Sequence, residues 1–130
     1  MSRERLEALC RITAAVSQAR QAEMAALRRQ EIALRQHLSE IEAGRAASLS
    51  ALDPEGPAVR AGAVMTWQAW IDQQKAGING DLARLRARMI ASRATLAEAH
   101  GRDQAMTGVM RNRARKESET AQRRQDNAGG

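Results

Sequence analysis

Both prolines of the chain stand in LDPEGPAV, residues 52–59, and no other stretch carries so strong a helix stop. Proline lacks the N–H that a helix interior uses and pushes the residue before it out of the helical region, while Gly56 adds a permissive joint. On either side of this break apolar residues recur in steps of three and four. Before it they fall at Leu6, Leu9, Thr13, Val16, Met24, Leu27, Leu34, Leu38, Ile41, Leu49 and Leu52. After it the row runs Val64, Trp67, Ile71, Gln74, Ile78, Leu82, Leu85, Met89, Ser92, Leu96, Ala99, Asp103, Met106 and Met110, a heptad spacing. The step from Ile78 to Leu82 is four where three is due, beside Gly77 and Gly80, and predicts a local unwinding there.

These rows predict an all-α chain folded as a long antiparallel two-helix coiled-coil hairpin: helix 1 over about 3–51, a loop over about 52–58, helix 2 over about 59–123 and a flexible tail over about 124–130. Positions whose numbers add to about 110 then face each other, so that Leu6 meets Met106, Val16 meets Leu96, and Leu27 meets Leu82 or Leu85. At about 1.5 Å per residue each shared arm would run roughly 75 Å. The alternative, a three- or four-helix bundle, needs further breaks near AGING (76–80) or HGRD (100–103), where glycines stand without proline support. Composition agrees with a thin object. Nearly half of the 43% apolar fraction is alanine, the only aromatics are two tryptophans, and large side chains are too few to fill a thick core.

Candidate chemistry is sparse. His37 and His100 lie far apart along such a hairpin, and no Asp, Glu or Cys stands at a helical spacing that completes a metal site. Cys10 sits beside the seam, where a small buried thiol is the ordinary reading, and as the sole cysteine it agrees with a reducing compartment. Gly77 and Gly80 lack the lysine and preceding strand of a phosphate loop. A two-helix arm offers no water-excluding pocket, so the expectation is a protein without enzymatic activity, cofactor or metal. No apolar run is long enough to cross a bilayer and the start MSRERLEALC is charged, which predicts a cytoplasmic protein with no direct membrane insertion.

The chain carries 21 basic and 15 acidic residues, a net charge of +6, and the last twenty residues supply 6 of the basic and 3 of the acidic groups. Arg84, Arg86, Arg88 and Arg93 cluster on the second arm with few acids between Asp81 and Glu98; they form either a solvated face or a surface for an acidic partner. The tail RNRARKESETAQRRQDN (111–127) has no ring to stack on a base and mixes acids into its basic run, which argues against nucleic acid. On the heptad count Trp67 lies in the seam, while Trp70 projects from the flank, either as a partner-docking indole or as a lid across the hairpin.

A helical hairpin with a longer second arm, few aromatics and a charged end resembles the FliJ family of flagellar export proteins and its YscO-type relatives in virulence type III secretion. That family often ends its second helix with a pattern like D-E-x-A-x-R-R. SETAQRR (118–124) places Glu119, Ala121, Arg123 and Arg124 in register with it, and Ser118 stands where an acid is usual. WQAWIDQQKAGI (67–78) is similar to the family's apolar-x3-apolar-x2-Gln start of the return helix. The resemblance implies a stalk whose helix ends enter the ring of a hexameric export ATPase, with the near-loop part reaching a membrane export-gate protein, at the inner membrane's cytoplasmic side. Carried onto this chain, Arg111, Arg113, Arg115, Glu119, Arg123 and Arg124 belong to the ring-contacting end, and Trp67, Trp70, Ile71 and Gln74 to the gate-contacting region. Family members also engage export chaperones. The rival functions are a basic nucleic-acid-binding helical hairpin and a generic coiled-coil adaptor.

Overall fold

The structure, a computed structural model, describes residues 2–129. Within them the chain is all-helical: α1 (Arg3–Ser50), a single-turn α2 (Pro57–Arg60) and α3 (Ala63–Gly129). At the start of α1, Ser2 Oγ accepts a hydrogen bond from the Arg5 N–H at 3.2 Å, satisfying one of the free donors of the first turn.

The break falls where the prolines stand, but it is longer than the expected loop over 52–58. Asp53 Oδ1 accepts the Glu55 N–H at 3.0 Å and Asp53 O accepts the Gly56 N–H at 3.0 Å, a turn closed by an aspartate. Pro57 then opens α2 at the first helical position, where its missing N–H costs nothing. Gly62, at φ +75°, ends α2 and lets α3 begin. The left-handed joint is therefore Gly62, since Gly56 has an ordinary extended backbone at φ −70°. The second long helix starts at Ala63 instead of about 59. It runs through Gly129, so the stretch expected as a tail from about 124 is helical as far as it is described. No break occurs at 76–80 or 100–103, and the unwinding expected beside Gly77 and Gly80 is absent from α3.

Contacts group the chain into two compact units, Met1–Met24 with Ser92–Gly130 and Ala25–Ala91. The second is called here the turn unit and the first the terminal unit.

In the turn unit the buried side chains are Leu27, Ile71, Ile78, Leu82 and Leu85. Glu31, Leu34, Leu38, Ile41, Arg45 and Leu49 of α1 are half-buried with them, as are Val64, Gln68, Lys75 and Met89 of α3. The two helices meet in reverse order here: Leu49 shares a hollow with Val64 and Trp67, Glu42 pairs with Lys75 at 3.2 Å, and Leu34 shares a hollow with Asp81 and Leu85. The covered row therefore passes through Lys75, and Gln74 is exposed. With Lys75 in its place, Ile71, Lys75, Ile78, Leu82, Leu85 and Met89 alternate steps of four and three, and the irregularity expected at Ile78–Leu82 disappears. Lysine reaches this position because its aliphatic stem packs along the seam while its ammonium reaches Glu42.

In the terminal unit the buried side chains are Leu6, Ser17, Met24, Ser92 and Ala99, with Cys10, Thr13, Thr95, Leu96, Asp103, Met106 and Met110 half-buried. The seam passes through Ser17, 2% exposed, and leaves Val16 42% exposed, the reverse of the expected assignment. The small serine side chain is fully covered, while the larger branched valine beside it is left partly in water. Cys10 Sγ donates to Met106 O at 3.6 Å. Cys10 opposite Met106 and Glu42 opposite Lys75 both place the facing residue further along α3 than the expected pairing.

Candidate partner-binding surfaces

The basic end belongs to the terminal unit. Leu6 lines an open hollow with Val109, Asn112, Arg113, Lys116, Glu117, Thr120, Ala121 and Arg124, and from residue 114 to residue 129 every side chain is exposed. The helix persists there on local interactions. Arg113 Nε pairs with Glu117 Oε1 at 3.2 Å, Arg115 Nη2 donates to Asn112 Oδ1 at 2.9 Å, and Gln122 Nε2 donates to Asp126 Oδ1 at 3.1 Å. Each links residues three or four apart, the spacing at which helix neighbours touch, and each contributes a few tenths of a kcal/mol.

The six residues assigned to the ring-contacting end do not share one surface. Arg113 and Arg124 continue the line of the seam and border the hollow beside Leu6. Arg111, Arg115, Glu119 and Arg123 follow one another in steps of four, a row that begins on the flank one step past half-buried Met110 and drifts around the helix through the side opposite the seam. Arg111, Glu119, Arg123 and Arg124 form no ion pair among the described residues, so their charges are available to an incoming surface.

Of the four residues assigned to the gate, all in the turn unit, only two present their side chains outward. Ile71 is 6% exposed and belongs to the core, so it supports its neighbours from below. Trp67 is half-buried and lines a hollow with Ser48, Leu49, Leu52, Ala58, Ala63 and Val64. Trp70 is 55% exposed, and Gln74 is exposed on the next turn. The exposed indole, the exposed amide and the apolar hollow walled by Trp67 are what a partner would meet.

Polar groups do gather inside the seam. Arg45 Nε is enclosed and lacks a hydrogen-bond partner among the described residues, close to Glu42 and Lys75 around one shallow hollow. Ser92 Oγ is enclosed and unpartnered in the same sense, whereas Ser17 Oγ accepts from Gln21 Nε2 at 3.4 Å. Among the described residues no group of three His, Cys, Asp or Glu side chains could hold a metal ion; His37 and His100 are both exposed. No helix among the described residues is long and apolar enough to cross a membrane. Of the arginine cluster on α3, Arg84 pairs with Asp81, while Arg86, Arg88 and Arg93 are exposed without ion pairs among the described residues. Sequence reasoning missed three exposed isoleucines, Ile12, Ile32 and Ile90, because all three fall outside the apolar rows it followed.

No family model, curated protein or solved structure matches this chain.

Proposed function

We propose that this protein is a non-enzymatic stalk component of a flagellar or virulence-type protein export apparatus, working at the cytoplasmic side of the inner membrane. In this reading α1 and α3 zip as an antiparallel coiled-coil hairpin. The reverse order of contacts within each unit and the four–three spacing of covered positions on α3 support it. The basic end enters the ring of a hexameric export ATPase, and the surface around Trp70 meets an export-gate membrane protein, with export chaperones as further partners.

The observation that carries the reading is the exposed end of α3: it stays helical and fully exposed from residue 114 to residue 129, bordering as far as Arg124 an open hollow to which α1 contributes only Leu6. An isolated helix of that length is marginal in water, so a surface that grips it from several sides adds most of its stability. Guanidinium groups on opposite faces suit enclosure by a ring of carboxylates better than docking onto a flat surface.

The test is turnover of the cognate hexameric ATPase with and without this protein. Stimulation is expected, with a several-fold loss for Arg123→Glu combined with Arg124→Glu. Because these two side chains lie on different faces, each single variant should lose part of the stimulation. An unchanged rate in the double variant removes the ring-insertion reading. Steep salt-dependent affinity for random duplex DNA would replace it with the nucleic-acid reading.

A further inference from the structure

In the turn unit, Ile32 and Ile90 are 64% and 70% exposed, the most exposed of the described isoleucine, leucine and valine side chains. Single exposed isoleucines are ordinary, but the surroundings of these two are not. On α1, helical spacing puts Arg28 and Arg29 one turn before Ile32 and Arg35 one turn after it. On α3 it puts Arg86 one turn before Ile90. Only Arg35 is neutralised, by Glu31 at 3.4 Å; Arg28, Arg29 and Arg86 form no ion pair among the described residues.

The two isoleucines lie on the same side of the unit. Arg28 follows buried Leu27 by one residue, and Arg86 follows buried Leu85 by one residue. In two helices that meet in reverse order, residues one step past the seam fall on a common flank, and Ile32 and Ile90 stand four residues beyond these arginines. The flank thus sets guanidinium groups of one sign side by side along the seam, which is mildly unfavourable in the isolated chain.

We propose that this flank is the docking surface for an acidic amphipathic helix of another protein, whose apolar stripe covers Ile32 and Ile90 while its carboxylates take the forks of Arg28, Arg29 and Arg86. Charge complementarity selects that occupant. Two isoleucines bury too little area to hold the chain on a lipid surface, and the flank carries no ring on which a nucleic-acid base could stack. An amphipathic helix presents apolar groups at steps of three and four with acids on either side, the pattern this flank complements.

The experiment is a selection of phage-displayed helical 20-residue peptides on the full chain. Its counter-screens are an Ile32→Ser, Ile90→Ser variant and an Arg28→Gln, Arg86→Gln variant, both checked for unchanged helicity. Enriched peptides are expected to carry Leu or Ile at helical spacing flanked by Asp or Glu. Affinity should fall about tenfold on each variant and fall further as salt rises. Failure to enrich, peptides without acid excess or helical spacing, or equal binding to both variants would overturn the proposal. So would flank-dependent binding to duplex DNA or to phosphatidylglycerol vesicles that equals or exceeds binding to the peptides.

Discussion

The turn unit and the terminal unit are built from the same two long helices, yet their interiors differ in kind. The first buries leucine and isoleucine at Leu27, Ile71, Ile78, Leu82 and Leu85. The second buries Ser17, Ser92 and Ala99 between Leu6 and Met24, and half-buries Cys10, Thr13, Thr95 and Asp103. Branched aliphatic side chains each remove roughly 1.5–3 kcal/mol worth of surface from water, whereas serine and alanine remove little. The difference teaches that one periodic pattern can hold a helix pair with very unequal strength along its length. In the proposed stalk, the loosely held part is the one that adapts to the ring.

Truncating one large side chain in each unit is the strongest way to break that comparison. Leu85→Ala, at a site 3% exposed, is expected to cost about 3 kcal/mol, and Met106→Ala, at a half-buried site, about 1 kcal/mol, both read from urea unfolding. Equal losses would mean that the small-residue seam packs as well as the aliphatic one. Native-state hydrogen exchange gives the same comparison without substitution: amides of α1 before Met24 should exchange at least about tenfold faster than those between Leu27 and Ile41.

Gly62→Ala comes next. A methyl group there would meet no atom within 4 Å, so any loss reflects the φ of +75° alone. About 1–2 kcal/mol is expected, read from the urea midpoint, because an L side chain disfavours that backbone region by about that much. A neutral result would show that the turn re-forms without the left-handed joint. Ser92→Ala should act in the opposite direction and stabilise the terminal unit by about 1 kcal/mol, since it removes an enclosed hydroxyl without a partner. Ser17→Ala should gain less, because Ser17 Oγ already accepts from Gln21. A loss of stability in Ser92→Ala would reveal that the hydroxyl is satisfied in solution.

Much of the fold was legible because proline and period are local physics. Two prolines in eight residues stop a helix wherever they stand, and a row such as Ile78, Leu82, Leu85 and Met89 has to be covered by something. What escaped depends on the partner helix. Val16 looked like the seam and Ser17 is, a small polar residue covered in place of its apolar neighbour, which a search for apolar periodicity passes over. Gln74 looked like the seam and Lys75 is, because whether a lysine can be covered depends on a carboxylate across from it, here Glu42, which spacing on α3 alone cannot reveal. Gly62 was invisible for a related reason: glycine at a left-handed joint and glycine inside a helix, as at Gly77, read alike until the turn is built. At the candidate surfaces the residue types were legible, but their division into faces was not. Ile71, which the heptad row had placed in the seam, is buried there and is not presented to a partner, and Arg113 and Arg124 fell on a different face from Arg111, Arg115, Glu119 and Arg123.

The smallest expected effect tests the one charged position of the aliphatic seam. Lys75 is 25% exposed at its side chain and Glu42 53%, so water screens the pair from one side. Glu42→Gln is therefore expected to cost less than about 1 kcal/mol in low salt and to approach zero near 1 M salt, where the screening length falls to about 3 Å. Lys75→Met keeps the covered stem and discards the ammonium. It should leave stability equal or slightly higher, since an unbranched apolar side chain can occupy the same groove. If Lys75→Met instead costs as much as Leu85→Ala, the turn unit depends on an ion pair as heavily as on its aliphatic row. The contrast between the two units would then rest on pairing across the helices and not on apolar volume.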